Sequence, residues 1–179
     1  KELQSVTRDQ AYDFYKRFVG AQNAQVSLLG PVDSKAYRQL IADSLDGWKS
    51  ATPWTRVPHP LVVRQPARLV FDTPDKTNAS LQAYHGVPVS AIGMDHDYFG
   101  LELATRIFGG GPGSRLWLRL REGGGLSYSA GAGFGASSYE RAGRFSLSAE
   151  VAPQNLSAAE KALQEELARS LKDGFTATE

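Results

Sequence analysis

The 179-residue sequence contains no cysteine, one methionine and three histidines. The missing cysteine excludes disulfides and thiol chemistry and leaves the compartment open. His59, His85 and His96 are scattered, and no His-x-x-Glu-His motif or its inverse is present, so the chain has no self-contained metal site of that type. Charge of one sign is also missing. Twenty basic against nineteen acidic side chains give +1, which offers no broad nucleic-acid footprint. No apolar run approaches the roughly 20 residues of a membrane span. What is present is a globular composition, 41% hydrophobic and 22% charged, and 18 glycines concentrated in the middle of the chain. The chain starts inside a helix-like run without an initiator methionine and stops just after another helix, so an excised piece of a longer protein is expected.

Periodicity outlines the elements. Thr7 and Gln10 form a capping-box spacing ahead of a helix over 6–19. "AQVSLLG" (24–30) reads as a short strand stopped by Gly30-Pro31, and Asp33 or Ser34 caps a second helix with Ala36, Tyr37, Leu40, Ile41 and Leu45 inward. Residues 1–50 are therefore a helix–strand–helix unit. Residues 51–66 carry four prolines and form an extended linker in which His59 is an exposed connector residue. The rest, 67–179, reads β-β-α-α-β-β-α. Strands fall at 67–74 and 78–89, with His85 a polar residue near a strand end. Asp95 caps a helix over 96–108, with Leu101, Ala104, Ile107 and Phe108 at helical spacing, and a helix follows over 113–122, with Leu116, Trp117 and Leu120 its apolar side. Two alternating strands come next, the first with Tyr128, Ala130, Ala132 and Phe134 on one face, the second with Phe145, Leu147, Ala149 and Val151 alternating with Ser146, Ser148 and Glu150. A helix over 154–172 closes the order, with Leu156, Ala159, Leu163, Leu167 and Leu171 in one stripe. Paired strands followed by paired helices predict an α+β fold, an antiparallel sheet with helices packed on one face.

The densest glycine cluster is "GGGPG" at 109–113. A phosphate loop would need a preceding strand and a terminal Lys-Ser/Thr, and neither is there. A helix–helix turn, with Gly109 as C-cap, Pro112 in the first turn and Ser114 as N-cap, accounts for part of the cluster. So many glycines also suit close approach by another backbone. Arg115 and Arg119, at i,i+4, read as a solvated helix face, and Glu165-Glu166 as an ordinary polar one. Arg121 is followed seven residues on by Tyr128, at the start of a glycine-rich strand. A guanidinium fork and a phenol converging there suit a peptide carbonyl or a developing oxyanion.

The run "HDYFGLELATRIFGGGPGSRLWLRLREGGGLSYSAGAGF" resembles the C-terminal half-domain of the pitrilysin/insulinase-type zinc metallopeptidases, which include the mitochondrial processing peptidases. The shared elements are Gly109–Gly113, Ser114-Arg115-Leu116, Leu120-Arg121-Glu122, Gly125-Leu126 and Tyr128-Ser129. "FVGAQNAQVSLLGPVD" is similar to the end of the preceding half-domain, so the resemblance spans essentially the whole chain. It implies a two-half enzyme of sandwich type. One half, absent here, carries an inverted zinc motif. The other contributes Arg121 and Tyr128, which hold substrate backbone in the shared cleft. It also implies a substrate-contacting loop at Gly109, Gly110, Gly111, Gly113 and Ser114. The family's Glu-Lys-x-Gly is replaced by Glu122-Gly123-Gly124-Gly125, which loosens the turn. The resemblance implies a peptide or unfolded polypeptide substrate, zinc in the full-length enzyme with none bound by this chain, and pairing with the zinc half or in a dimer. A catalytically silent partner or assembly subunit, or a free-standing peptide-binding module, are the other readings of the same residues.

Overall fold

A computed structural model describes residues 3–91 and 96–179. The chain divides into two compact units, one ending at Val57 and the other Pro58–Glu179.

The first unit holds two helices, α1 (Arg8–Phe18) and α2 (Ser34–Leu45). The capping box forms as read: the Gln10 N–H donates to Thr7 Oγ1 at 3.2 Å, and the Thr7 N–H donates to Gln10 Oε1 at 2.9 Å. Asp33 caps α2 by accepting from the Lys35 and Ala36 N–H groups. The strand expected at 24–30 does not form. A strand needs a neighbouring edge for its N–H and C=O groups, and none is present among the described residues of this unit. Val26, Leu28 and Leu29 stay exposed as a result. The α2 stripe is not inward either. Ala36, Tyr37 and Leu40 are exposed, and only Ile41 and Leu45 are half-buried.

The second unit is a sheet and a helix layer. Strands β1 (Ala79–Val87), β2 (Ser127–Ala136) and β3 (Gly143–Val151) lie in the order β1-β3-β2, all antiparallel. The helices are α3 (His96–Gly109), a single turn α4 (Arg115–Trp117) and α5 (Leu156–Asp173). The Asp95 cap lies outside the described residues. Phe108, Leu116, Leu120, Ala159, Ala162 and Leu163 from the helical side meet Ala130, Leu147, Ala149 and Val151 of the sheet in one core. The architecture is therefore the expected α+β layer, helices on one face. Leu171 is an exception to the α5 stripe and is exposed.

The strand expected at 67–74 is likewise absent. Arg68 donates through Nε and Nη2 to the Glu160 carboxylate on α5, at 3.3 and 3.2 Å. The segment meets α5 through this exposed pair and does not pair with β1. Leu69, Val70 and Phe71 remain 72–80% exposed, without the buried face a strand of that composition requires.

Candidate functional site

The segment from Gly109 to Tyr128 is built by three local devices. The first is the glycine turn. A Cβ added at Gly109 would sit 2.4 Å from the Ala132 nitrogen of β2, and one at Gly110 would sit 2.6 Å from the Arg106 carbonyl oxygen. These two glycines permit close packing of α3 on β2 and on its own last turn. Gly111 and Gly113 lie at φ +137° and +87°, a left-handed region that suits a residue without Cβ, and both face open space. Gly109→Ala should push β2 away from α3 and destabilise the unit by about 1–3 kcal/mol. Chemical denaturation against Gly135→Ala, on the same strand β2 with an ordinary φ and no neighbour near the added Cβ, isolates that clash.

The second device is the winding after the turn. The helix expected over 113–122 is one α-turn, α4, continued by a π-turn at Leu118–Glu122. The Gly123 N–H donates to the Leu118 carbonyl at 2.7 Å, an i→i+5 bond. Ser114 occupies the N-cap, but its side chain caps nothing; its Oγ is buried without a hydrogen-bond partner.

The third device is a β-bulge. Ser127 is opposite Val151 and Ser129 is opposite Glu150, which leaves Tyr128 as the extra residue. Simple alternation places Tyr128 with Ala130 on the core face. The bulge places buried Ser127 in register with that face, and Tyr128 is 57% exposed. Bulges re-aim single side chains in this way.

Three arginines then divide in role. Arg115 is no solvated residue. It is buried and donates to Ser170 Oγ at 3.0 Å, to the Gly174 carbonyl at 2.8 Å and to both carboxylate oxygens of Glu179, with Oε2 at 2.8 Å; its guanidinium also covers the Phe175 ring. Arg115 and, secondarily, the Thr176 backbone N–H hold the Glu179 carboxyl at about 2, well below its ordinary value. Arg119 faces Glu165 at 3.3 Å and Glu166 at 3.7 Å. Glu166, read from sequence as part of a polar face, is only 5% exposed and pairs with Arg169 at 2.8 Å. Arg121 has no carboxylate partner among the described residues. Its Nη1 donates to the main-chain carbonyl of Tyr128 at 2.5 Å, and its Cζ lies 4.6 Å from the centre of the Trp117 ring. Arg121 and Tyr128 are therefore adjacent, joined through backbone, with both side chains solvent-facing.

Helical spacing puts Trp117 with Leu116 and Leu120 on an apolar side; Leu116 and Leu120 are buried, whereas Trp117 is half-buried and meets Arg121, an i,i+4 pairing that is a legible signal. The bulge and the π-turn carry no comparable signal. Among the described residues no three His, Cys, Asp or Glu side chains group as a metal site, and no helix is long and apolar enough to cross a membrane. The described residues do not fit a zinc ion.

A family model described as the peptidase M16 inactive domain matches residues 5–179. No curated protein matches the chain. Among solved structures, the peptidase M16 inactive domain from Pseudomonas fluorescens is similar at 23% identity and a TM-score of 0.67, over 97% of this chain and 41% of that one. A protease from Helicobacter pylori matches at 17% identity and a TM-score of 0.72, over 99% and 43%. A conserved protein from Enterococcus faecalis matches at 20% identity and 0.52, over 84% and 34%. The chain thus spans well under half the length of these structures, and at such identities the likeness concerns the fold.

Proposed function

We propose, from the premise that this chain belongs to the peptidase M16 inactive-domain family, that it is the substrate-holding, non-catalytic part of a zinc-dependent metalloendopeptidase. The observation that carries the reading is the pair at the start of β2. Arg121 keeps a guanidinium free of any described carboxylate, beside a Tyr128 phenol that the bulge leaves in solvent. An unneutralised arginine and a free phenol are donors suited to peptide carbonyls.

In this reading residues 1–50 are the tail of a preceding half-domain, 51–66 are a linker and 67–179 are the C-terminal half. The unit boundary after Val57 falls inside that linker. The preceding half supplies zinc, which when bound activates water and polarises the scissile carbonyl. Residues of this chain do the rest: Arg121 and Tyr128 orient the peptide, and the turn at Gly109–Gly113 with Ser114 borders its path. Gly111 and Gly113, open to space, are the members of that turn with room for a substrate backbone. The partners are then a peptide or unfolded polypeptide, the zinc-bearing half, and a second full-length subunit in a dimer.

The test is zinc stoichiometry and peptide hydrolysis by the full-length protein, with and without a chelator. We expect one zinc per chain, hydrolysis abolished by chelation and restored by zinc, and no hydrolysis by this chain alone. A full-length protein that binds no zinc and cleaves nothing is instead a silent partner or assembly subunit.

A further inference from the structure

We propose that Trp117 is a positioning residue for Arg121, holding the guanidinium plane so that its Nε and Nη2 hydrogens face a substrate carbonyl. The proposal rests on the reading of Arg121 as a substrate-holding group.

An exposed arginine has a large rotamer freedom, and a donor that must meet a peptide in one geometry works best when that freedom is already removed. Arg115 and Arg119 are fixed by carboxylates. For Arg121 the described fixation is different: one hydrogen bond from Nη1 to the Tyr128 carbonyl, and Cζ held over the indole, 4.6 Å from the ring centre. A single hydrogen bond lets the fork swing about that contact. The ring limits the swing through the attraction of its π face for the cation, which takes up no carbonyl or carboxylate acceptor.

Trp117 is itself held. Its Nε1–H donates to Glu122 Oε1 at 3.1 Å. Glu122 thereby holds the indole and forms no described ion pair with Arg121, which would have neutralised the group meant for substrate. The π-turn makes the arrangement possible. Its wider winding returns both the fourth and the fifth residue after Trp117 to the indole, whereas a regular α-turn carries the fifth off to the side.

The experiment is kcat/KM for peptide hydrolysis by the full-length protein in Trp117→Leu, Trp117→Phe, Arg121→Ala and the Trp117→Leu/Arg121→Ala double variant. Leu keeps apolar bulk and removes the π face; Phe keeps the face and removes the N–H. Trp117→Leu should lower kcat/KM about 3- to 30-fold, the range of a cation–π contact expressed as a rate ratio. Trp117→Phe should recover most of it, and Trp117→Leu should add nothing once Arg121 is alanine. In the same proteins the Arg121 Nε–H resonance should move on replacement by Leu and stay near its place with Phe, an effect that general loss of packing does not mimic. A neutral Trp117→Leu beside an impaired Arg121→Ala overturns the proposal and leaves the reading of Arg121 standing, as does an equal loss in the Arg121→Ala background. A neutral Arg121→Ala overturns that reading and the proposal with it.

Discussion

Arg121→Ala in the full-length enzyme is expected to lower kcat/KM for peptide hydrolysis by about 10²–10³-fold, the cost of losing one donor aimed at developing charge. The stability of the protein should change little, because Arg121 is exposed and its described partners are one carbonyl and one ring face. Tyr128→Phe should give a loss of similar kind, since it removes the phenolic O–H while keeping the ring and the bulged backbone. Arg121→Lys separates charge from shape. A lysine keeps the positive charge but cannot donate to the Tyr128 carbonyl and to substrate through one rigid fork, so it should recover only a small part of the activity. Kinetics against peptide concentration tell binding from chemistry. A rise in KM alone means that Arg121 grips ground state and transition state equally; a fall in kcat means that its donors act as charge develops. Wild-type kinetics in both Arg121→Ala and Tyr128→Phe would remove these residues from the site.

Much of the second unit was legible because its signals are local. The Phe108, Leu116, Leu120 and Leu163 positions follow helical spacing, and the alternation of Phe145, Leu147, Ala149 and Val151 survives intact as the inner face of β3. The capping box at Thr7 was legible for the same reason. What sequence reasoning missed depends on partners elsewhere in the chain. Residues 24–30 and 67–74 have strand composition, and composition cannot show whether a neighbouring strand receives them. Arg115 looked like Arg119 at i,i+4, yet its surroundings come from Ser170, Gly174 and Glu179, more than fifty residues away. Tyr128 is the most instructive. Period-2 alternation assigns it to the core face, and one inserted residue in the ladder overrides that assignment at the position on which the functional reading depends.

Arg115→Ala is expected to destabilise the second unit by about 2–4 kcal/mol, measured by chemical denaturation. Breaking a buried pair by removing one partner usually costs more, about 3–5 kcal/mol, but Glu179 keeps about a quarter of its side chain in solvent and is partly rehydrated when abandoned. The loss has three parts: the carboxylate pair, the bonds to Ser170 and Gly174 that tie the end of α5 to α4, and the face over Phe175. Arg115→Lys should recover little, because one ammonium cannot reach all three partners in a plane. The pH dependence identifies the ion pair within that sum. The Glu179 carboxyl titrates at about 2 in the folded chain against 4.5 ordinarily. A depressed carboxyl contributes its stability above the ordinary value and loses it as pH falls toward the folded one. Wild-type stability should therefore drop between about pH 4.5 and 2 with a component absent from both Arg115→Ala and Glu179→Gln. Since α4 leads directly into the π-turn that carries Arg121, Arg115→Ala should also lower activity at temperatures where the unit is still folded, and more steeply on warming than Arg121→Ala does. An Arg115→Ala protein with wild-type stability and an unchanged acid limb would show that the Glu179 contact contributes nothing in solution.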